Sequence, residues 1–222
     1  ARARDLCRSL NDAKGLFRAL GLLLMSHTTG GRHQEAGQIG VELLDAARQT
    51  GDPSAEMVAH WQIGVQRLIV GDLILAREHL EEAVARHRPN RHRHLIFRYG
   101  MSPGVVSLGA LAFVLWALGY PERALDVSLD GIALADKLAY PPGLAMAQVY
   151  ACGAHGFCGD WAQVRELAEA TLMISEEHGL PYWYTAGLVN RGRALVHQGN
   201  VEAGVISMRQ GIDRSREMGA EA

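Results

Sequence analysis

The apolar positions of this chain recur every three or four residues, which is the spacing of one face of an α-helix. The stretch after Gly119 shows the pattern clearly, since its small and apolar positions fall at Ala124, Val127, Gly131, Leu134 and Leu138. No segment of useful length alternates with the period of two that a half-buried strand needs. The pattern therefore predicts an all-α protein.

The helical pattern is repeated along the chain. Four segments share a wording that begins with glycine, and a fifth copy is looser: "GDLILAREHL", "GYPERALDVS", "GDWAQVRELA", "GNVEAGVISM" and "GRHQEAGQIG". From Gly31 to Gly199 these glycines are separated by 40, 48, 40 and 40 residues. A small or short side chain follows each glycine by five residues, at Ala36, Ala76, Ala124, Val164 and Gly204. Self-similarity at a fixed period of this length is typical of a helical solenoid.

Each unit predicts two helices. Proline follows the glycine by 22 residues at Pro53, Pro141 and Pro181, and proline is well tolerated in the first turn of a helix. The glycine ends the first helix, because glycine adopts the left-handed conformation of a helix cap without strain. We predict one domain over residues 1–222, a tetratricopeptide-like right-handed α-solenoid of about five repeats with a period near 40. The predicted repeats span residues 13–51, 52–88, 103–139, 140–179 and 180–218, with a basic connector over 86–102.

The tetratricopeptide pattern W-x2-L-G-x2-Y has a glycine in the first helix, where two helices approach closely. Seven residues before each turn glycine this chain has Gly64, Ala112, Cys152 and Gly192, and the first repeat has Leu24. The segment "HWQIGVQRL" keeps Ile63 and Gly64 of the pattern but carries His60 and Arg67 at the aromatic positions. Standard repeats have a period of about 34 residues, so the prediction is a tetratricopeptide-like fold with longer units.

Composition narrows the classes of function. The chain of 222 residues is 48% apolar and carries a formal net charge of −2, which argues for a folded core and against nucleic acid or an anionic membrane as partner. Its three cysteines, an odd number, favour reduced thiols and therefore the cytoplasm. The most apolar run, Val105 to Leu118, is shorter than the roughly 20 residues that a membrane span needs. The chain starts without Met or a signal peptide, so we expect a fragment of a longer protein.

Two stretches carry a resemblance to a known family: "RHRHLIFRYGMSPGVVSLGALAFVLWALGYPERAL" and "PYWYTAGLVNRGRALVHQGNVEAGVISMRQGI". From about Gly31 to Glu217 the chain resembles the tetratricopeptide region of bacterial signalling proteins that join class III adenylate or guanylate cyclases to an AAA-type ATPase. ATP-dependent transcription regulators with a helix-turn-helix tail carry similar repeats. The resemblance implies a sensor or coupling domain that contacts upstream modules, with the cyclase and ATPase on the parent chain.

No catalytic residue is carried over from that family. The chain has neither a GxxxxGK[ST] loop nor paired metal-binding carboxylates in a strand-loop context, so we expect no enzyme activity and no cofactor in this domain. The cluster Glu176, Glu177 and His178 has the residue types of acid–base catalysis, but it precedes Gly179 at a predicted helix end, where charged surface residues are ordinary.

The connector "ARHRPNRHRHLIFRYG" contains five arginines and three histidines. One interpretation is an anion or nucleic-acid contact, for which Arg88, Arg91 and Arg93 are the candidates. The favoured interpretation is a solvated connection that Leu95, Ile96 and Phe97 attach to the solenoid. The arginines also argue against a metal site at the three histidines, because they repel a cation.

The segment "CGAHGFC" imitates a metal motif with Cys152, His155 and Cys158. On a helix, positions three and six residues apart drift around the axis, and no fourth ligand is evident. Cys152 also occupies the small position between helices, so structural packing is the favoured interpretation.

The inner face of the first helices is the better candidate site. Transfer of the tetratricopeptide positions to this chain gives an unusually apolar face, whose candidates are Trp61, Val65, Leu68, Phe113, Trp116, Val149, Val189 and Arg193. Such a face would take a protein segment or a small apolar effector. The alternatives are that these residues belong to the core, or that missing segments of the protein itself fill the groove.

The last repeat carries an apolar stripe at Val201, Val205, Met208 and Ile212. A terminal repeat needs a polar cap, so a homodimer through this stripe is one expectation, and fraying of the helix is the other.

The leading hypothesis for function is a non-catalytic regulatory domain of a cyclase-type or transcription-regulator protein. The rival hypothesis is a free-standing interaction scaffold whose basic connector binds an anionic partner.

Overall fold

The computed structural model describes residues 2–219, and these residues form thirteen α-helices and no strand. The helices are α1 (Arg2–Ser9), α2 (Ala13–Thr29), α3 (His33–Gln49), α4 (Pro53–Ile69), α5 (Leu73–Arg86), α6 (Pro89–His92), α7 (His94–Tyr99), α8 (Pro103–Ala117), α9 (Pro121–Lys137), α10 (Pro141–Phe157), α11 (Trp161–Glu177), α12 (Pro181–His197) and α13 (Val201–Glu217). The prediction of an all-α protein is confirmed.

Ten of the helices follow one another along the chain as five successive pairs: α2 and α3, α4 and α5, α8 and α9, α10 and α11, and α12 and α13. The second helix of each pair begins two residues after a turn glycine, as the repeated wording predicted. The glycine adopts a positive φ in every one of these five turns, from 73° at Gly31 to 88° at Gly199. Glycine therefore provides the left-handed residue that lets the chain leave one helix and enter the next.

The turns that follow the second helices also use a residue with positive φ, and in one of these turns that residue is not glycine. Gly51 and Gly179 follow the ends of α3 and α11 with φ of 65° and 62°, whereas the corresponding residue after α9 is Ala139, with φ of 48°. A side chain with a Cβ in this conformation is strained by roughly 1–2 kcal/mol.

We therefore expect Ala139→Gly to raise the free energy of unfolding by about 1 kcal/mol, because strain is relieved while some chain entropy is lost. Urea unfolding of the variant and the wild type measures the difference. The matched reverse change, Gly179→Ala, should lower the free energy of unfolding by a similar amount. A loss of stability on Ala139→Gly would contradict the prediction.

The chain divides between Val114 and Leu115 into two compact units, unit 1 before this point and unit 2 after it. In unit 1, each of the helices α1 to α4 packs against the next one along the chain, and α2 also packs against α4. The side chains buried there include Leu20, Leu24, Leu43, Met57 and Leu80. The first helices of two successive repeats, α2 and α4, therefore lie side by side.

In unit 2, α10 packs against both α9 and α11, α12 packs against α11 and α13, and α10 also packs against α12. The core of this unit consists mainly of small side chains, and Ala151, Cys152, Val164, Ala168 and Ala194 are almost completely buried. Small residues at the contacts let the helix axes approach closely, so a core with few aromatic side chains can still be tightly packed.

Among the described residues, no single helix is long and apolar enough to cross a membrane. One pair of neighbouring segments, Pro89–Tyr99 and Pro103–Ala117, reaches the required length and composition together, and the chain bends by 90° between its two parts.

Candidate functional site

Three cavities follow one another along α2 in unit 1, and we call them together the α2–α4 groove. The cationic cavity, of about 160 Å³, is lined by Lys14, Phe17, Arg18, Thr50, Asp52, Ser54, Ala55, Val58, His94, Leu95, Arg98 and Tyr99. The middle cavity, of about 240 Å³, is lined by Phe17, Arg18, Gly21, Leu22, Met25, Gln62, Arg98 and Tyr99. The apolar cavity, of about 120 Å³, is lined by Leu24, Met25, Thr28, Thr29, Trp61, Gln62, Val65, Gln66 and Ile69. Shared lining residues make the three cavities neighbours, with α2, α4 and α7 as their walls.

The cationic cavity gathers positive charge from two distant parts of the sequence. Lys14 and Arg18 lie one turn apart on α2, and Arg98 comes from α7 in the connector. The three side chains are exposed, and none of them takes part in an ion pair found among residues 2–219. This end of the groove therefore presents three exposed positive charges to the solvent, and such a surface attracts anionic groups.

The only carboxylate in the lining of the cationic cavity, Asp52, is already engaged. Its Oδ1 accepts a hydrogen bond of 2.9 Å from the backbone N–H of Ser54, at the start of α4, and lies 3.7 Å from Nη2 of Arg91. Asp52 therefore serves as the N-cap of α4 and pairs with the connector, and it does not neutralise the three cations beside it.

In the lining of the middle cavity, Gly21 of α2 lies opposite Gln62 of α4. A Cβ atom at Gly21 would fall 2.8 Å from Oε1 of Gln62, which is closer than such atoms normally approach. The glycine therefore lets the Gln62 amide lie directly against α2. The Oε1 atom of Gln62 is buried and has no hydrogen-bond partner in the protein.

The apolar cavity is bordered by Trp61 of α4, whose side chain is only 4% exposed. Its Nε1 is buried and has no hydrogen-bond partner in the protein. Tyr99 of α7 packs against the Trp61 ring edge to face, with ring centroids 5.5 Å apart. A buried donor or acceptor left without a partner typically costs about 1–3 kcal/mol. A ligand in the groove would relieve that cost at Trp61 and Gln62 only if these side chains turned toward it.

Tyr99 links the two ends of the groove. Burial raises the pKa of its phenol, and the nearby guanidinium groups of Arg98 and Arg18 act on it in the opposite direction. Arg18, Arg98 and Tyr99 line both the cationic and the middle cavity, so they lie where the two cavities meet.

Two of the predicted inner-face residues of unit 1 line the groove: Trp61 and Val65 border the apolar cavity. Leu68 lies further along α4 and is half-buried, and Phe113 is a half-buried residue of α8. The assignment of all four to a binding face is still a prediction.

The predicted residues of unit 2 are already in contact with their neighbours. The Trp116 ring stacks on Phe157 with centroids 4.3 Å apart. The Arg193 guanidinium lies over the Trp161 ring at 5.6 Å from its centroid and donates a hydrogen bond of 3.1 Å to Oδ1 of Asn190.

The two remaining candidates of unit 2 are half-buried valines, Val149 on α10 and Val189 on α12. A Cβ atom at Gly211 of α13 would fall 2.9 Å from Cγ2 of Val189. Val189 therefore packs closely against the second helix of its own repeat.

In the connector, two of the three candidate anion contacts, Arg88 and Arg91, have partners within the chain. Nη1 of Arg88 donates hydrogen bonds to the carbonyl oxygens of Ala85 and His87 at 2.8 and 2.9 Å, so it satisfies the end of α5. Arg91 pairs with Asp52, and Arg93 is exposed.

The apolar residues of the connector behave differently from one another. Leu95 and Ile96 are buried and attach α7 to unit 1, as expected. Phe97 is 88% exposed, so the expectation that it helps to attach the connector was wrong. Because α7 is a helix, the three consecutive residues point in different directions and cannot all face the core.

The segment "CGAHGFC" is part of α10 and its C-terminus. Cys152 is fully buried, its thiol lies 3.6 Å from the carbonyl oxygen of Val164, and burial raises its pKa to about 12. Nδ1 of His155 pairs with Asp160 at 3.0 Å, and Cys158 is exposed. Within residues 2–219 no group of three or more His, Cys, Asp or Glu side chains could hold a metal ion.

Glu176, Glu177 and His178 lie at the exposed end of α11. The imidazole Nε2 of His178 is 4.0 Å from a Glu177 carboxylate oxygen. The cluster is a surface feature with no buried side chain.

The sequence reasoning missed Lys14, Arg18 and Gln62 as site residues, and noted Arg98 only as part of the connector. The first repeat matched the tetratricopeptide pattern poorly, so α2 received no inner-face assignment. A signal was present, because Lys14, Arg18, Gly21 and Met25 recur every three or four residues and so share one helical face. What the sequence did not provide was the position of Arg98 opposite that face.

No protein-family model matches this chain, and no curated protein sequence matches it. Solved structures do match. BtubC from P. vanneervenii is similar over all of this chain and 90% of its own, with a TM-score of 0.79 and 16% identity. A putative kinesin light chain from Podosopora anserina with nearly identical TPR-like repeats has a TM-score of 0.68 and 18% identity, over 92% of this chain and 97% of its own.

A third similar structure is the Signal Transduction ATPase with Numerous Domains protein with a tetratricopeptide repeat sensor from Pyrococcus horikoshii. Its TM-score is 0.69 at 15% identity, and the match covers 97% of this chain but 32% of that protein. At these identities the likeness concerns the fold alone. The fold is a tetratricopeptide-like α-solenoid, and this part of the prediction is confirmed.

Proposed function

We propose that this chain is a non-catalytic repeat domain that binds a segment of a partner protein in the α2–α4 groove. The observation that carries the proposal is the groove itself. It places an apolar cavity beside two buried polar atoms, Nε1 of Trp61 and Oε1 of Gln62, that have no partner inside the protein. A protein segment supplies both apolar side chains and backbone polar groups, whereas a purely apolar effector would leave the two atoms unpaired.

We further propose that binding serves regulation, as the sensor or coupling domain of a bacterial cyclase-type signalling protein. The resemblance of the two sequence stretches supports this role, and so does the structural likeness to an ATPase whose tetratricopeptide repeats are described as a sensor. In this proposal the cyclase and ATPase modules belong to the parent chain, and intramolecular contacts pass the signal to them.

The mechanism follows from the walls of the groove. A ligand in the groove would touch α2, α4 and α7 together, so it binds best when these three helices hold one particular arrangement. Differential affinity of this kind shifts the population toward that arrangement. We expect the connector helix α7 to move most on binding, because it has only six residues, of which Leu95 and Ile96 are buried.

Two alternatives share the binding activity and differ in what surrounds the domain: the repeat region of a transcription regulator, and a free-standing interaction scaffold. The complete open reading frame distinguishes them.

We propose a cytoplasmic location from the three free cysteines. A homodimer through α13 is also proposed, since Val201 and Ile212 of the predicted stripe are exposed.

Peptide selection tests the proposed function. Peptides selected from a random phage-displayed library on the wild-type domain are expected to lose at least about tenfold in affinity on Val65→Glu, because the new carboxylate enters the apolar cavity. Fluorescence anisotropy of labelled selected peptides measures the change.

The matched control is Val41→Glu on α3, an exposed valine at which binding should be unchanged. Thermal melts of both variants establish that they are folded. Selected peptides that bind Val65→Glu as tightly as the wild type, or a library that yields no binding peptide, would overturn the proposal.

A further inference from the structure

We infer that the outward side of the basic connector is a membrane-contact surface, through which unit 1 attaches peripherally to an anionic lipid bilayer. The arginines of the connector would lie among the lipid headgroups, and the Phe97 ring would enter the boundary between the headgroups and the acyl chains. The inference goes beyond the proposed function, because this surface needs no peptide in the α2–α4 groove.

The connector has a local excess of positive charge. The sequence contains no aspartate or glutamate between Glu82 and Glu122, whereas five arginines lie between these two residues. Arg88, Arg93 and Arg98 are exposed, and none of them takes part in an ion pair found among residues 2–219. The net charge of −2 belongs to the whole chain, so it does not exclude a local attraction to anionic lipids.

The backbone places part of this charge on one side of a helix. Arg93 joins α6 to α7 with helical backbone angles, φ −56° and ψ −37°. The exposed residues of this segment recur every three or four positions, at Asn90, Arg93, His94 and Phe97. Residues at such a spacing share one side of a helix, and the other side is buried through His92, Leu95 and Ile96. The connector therefore has a fixed inner side and a basic outer side.

Phe97 favours a lipid surface as the partner. Its side chain is 88% exposed, more than any other large apolar side chain among residues 2–219, and it lies one turn after Arg93. Exposure of an apolar ring to water is unfavourable, and the interfacial layer of a bilayer accepts such a ring without a preformed pocket. The arginines on either side of the ring complement the phosphate groups of anionic lipids.

Nucleic acid fits the same surface less well. Proteins that bind single strands through base stacking offer several aromatic rings to successive bases. In the connector, Phe97 is the one exposed ring of this kind, because Tyr99 is half-buried and packs edge to face against Trp61. A single protruding ring among cations is sufficient for shallow insertion into a bilayer, where the charges supply most of the attraction.

Binding to lipid vesicles tests the inference. We expect the chain to sediment with vesicles made of equal parts of phosphatidylglycerol and phosphatidylcholine, and to stay in solution with vesicles of phosphatidylcholine alone. Binding to the anionic vesicles should weaken as salt is added, because salt screens the attraction between the arginines and the headgroups.

Variants then locate the contact. Arg93→Gln should weaken binding to the anionic vesicles about fivefold, which is the contribution of one basic residue near an anionic leaflet, and Phe97→Ser should weaken it several-fold. The matched controls are Arg209→Gln and Met173→Ser, at exposed positions of unit 2, where binding should be unchanged. All four positions are exposed, and thermal melts establish that the variants are folded.

Phe97→Trp reports the position of the ring. Lipids brominated on their acyl chains should quench the added tryptophan emission when anionic vesicles are bound. The wild type, with its four native tryptophans, gives the background signal.

Several results would overturn the inference. Among these are equal binding to both kinds of vesicle, and binding to anionic vesicles that Arg93→Gln and Phe97→Ser leave unchanged. Binding of single-stranded DNA that these variants weaken, without vesicle binding, would overturn it in favour of nucleic acid. The same result with polyglutamate would overturn it in favour of an acidic protein. Peptide binding has its own test in Val65→Glu, so the proposed function and this inference can fail separately.

Discussion

Gly192→Leu is expected to lower the free energy of unfolding by about 3 kcal/mol or more. A Cβ atom at Gly192 would fall 2.5 Å from Cγ of Met208 and 2.6 Å from the backbone oxygen of Gly204. The contact is mutual, because a Cβ atom at Gly204 would fall 2.7 Å from the Gly192 oxygen. Backbone atoms of α12 and α13 cannot yield as a flexible side chain does, so the two helices must separate.

Urea or thermal unfolding measures the loss, and Gly64→Leu provides a second case in unit 1. There a Cβ atom would fall 2.7 Å from Cγ of Leu80, a side chain without exposed surface. Gly37→Leu on α3 is the control, because a Cβ atom at Gly37 has only the Arg67 guanidinium nearby, at 3.9 Å. The control should be neutral or slightly stabilised, since glycine is a poor helix former. Equal stability of all three variants would show that the close helix contacts are absent.

Lowering the pH from 7 to 4 is expected to destabilise unit 1 by several kcal/mol, on the order of 3 kcal/mol for each of two buried histidines. Burial lowers the pKa of His60 to about 4, and the charges of His79, Arg86 and Arg48 act in the same direction. Burial likewise lowers the pKa of His87 to about 4, with His92 and Arg88 adding to the effect.

The direction follows from proton binding. In the unfolded chain these rings take up protons near pH 6.5, whereas in the folded chain they stay neutral until about pH 4. The unfolded state therefore binds more protons between these values, and stability falls as the pH drops through them. The geometry agrees for His60, whose Nδ1 lies 3.0 Å from Nδ1 of His79. One of these two atoms must remain without a proton to accept the hydrogen bond.

Denaturant unfolding at pH 7, 6, 5 and 4 checks this expectation, followed through a signal from unit 1. His60→Gln should reduce the pH dependence over this range, because one of the titrating rings is gone. His178→Gln, at an exposed position in unit 2, should leave it unchanged. A free energy of unfolding that is the same at pH 7 and pH 5 would contradict the prediction.

The repeat architecture could be predicted from the sequence because its causes are local. Helical spacing of apolar residues, glycine at the left-handed turn position and proline in the first turn each act within a few residues. The repeat also has a small side chain five residues after each turn glycine, and three of these, Ala36, Ala76 and Ala124, are fully buried in the structure. Repetition strengthened these signals, because each copy is an independent observation of one pattern.

Helix propensity alone does not explain the glycines of α13. In sequence terms Gly204 and Gly211 weaken a helix, since glycine is a poor helix former. In the structure both are buried where α13 meets α12, and a Cβ atom at Gly211 would fall 2.9 Å from the Thr185 oxygen. The close approach of α13 to α12 decides their role, and such an approach depends on residues of the neighbouring helix.

The groove depended on tertiary structure for the same reason. Trp61 and Val65 could be predicted from their register on one helix, because periodicity fixes which residues share a face. The meeting of Lys14 and Arg18 with Arg98 could not, since it requires the connector to fold back beside α2 across some 80 residues of sequence. The sequence by itself determined the helices, their turns and their buried faces through short-range preferences. Only the packing of distant segments decided where charge gathers and which polar atoms are left without partners.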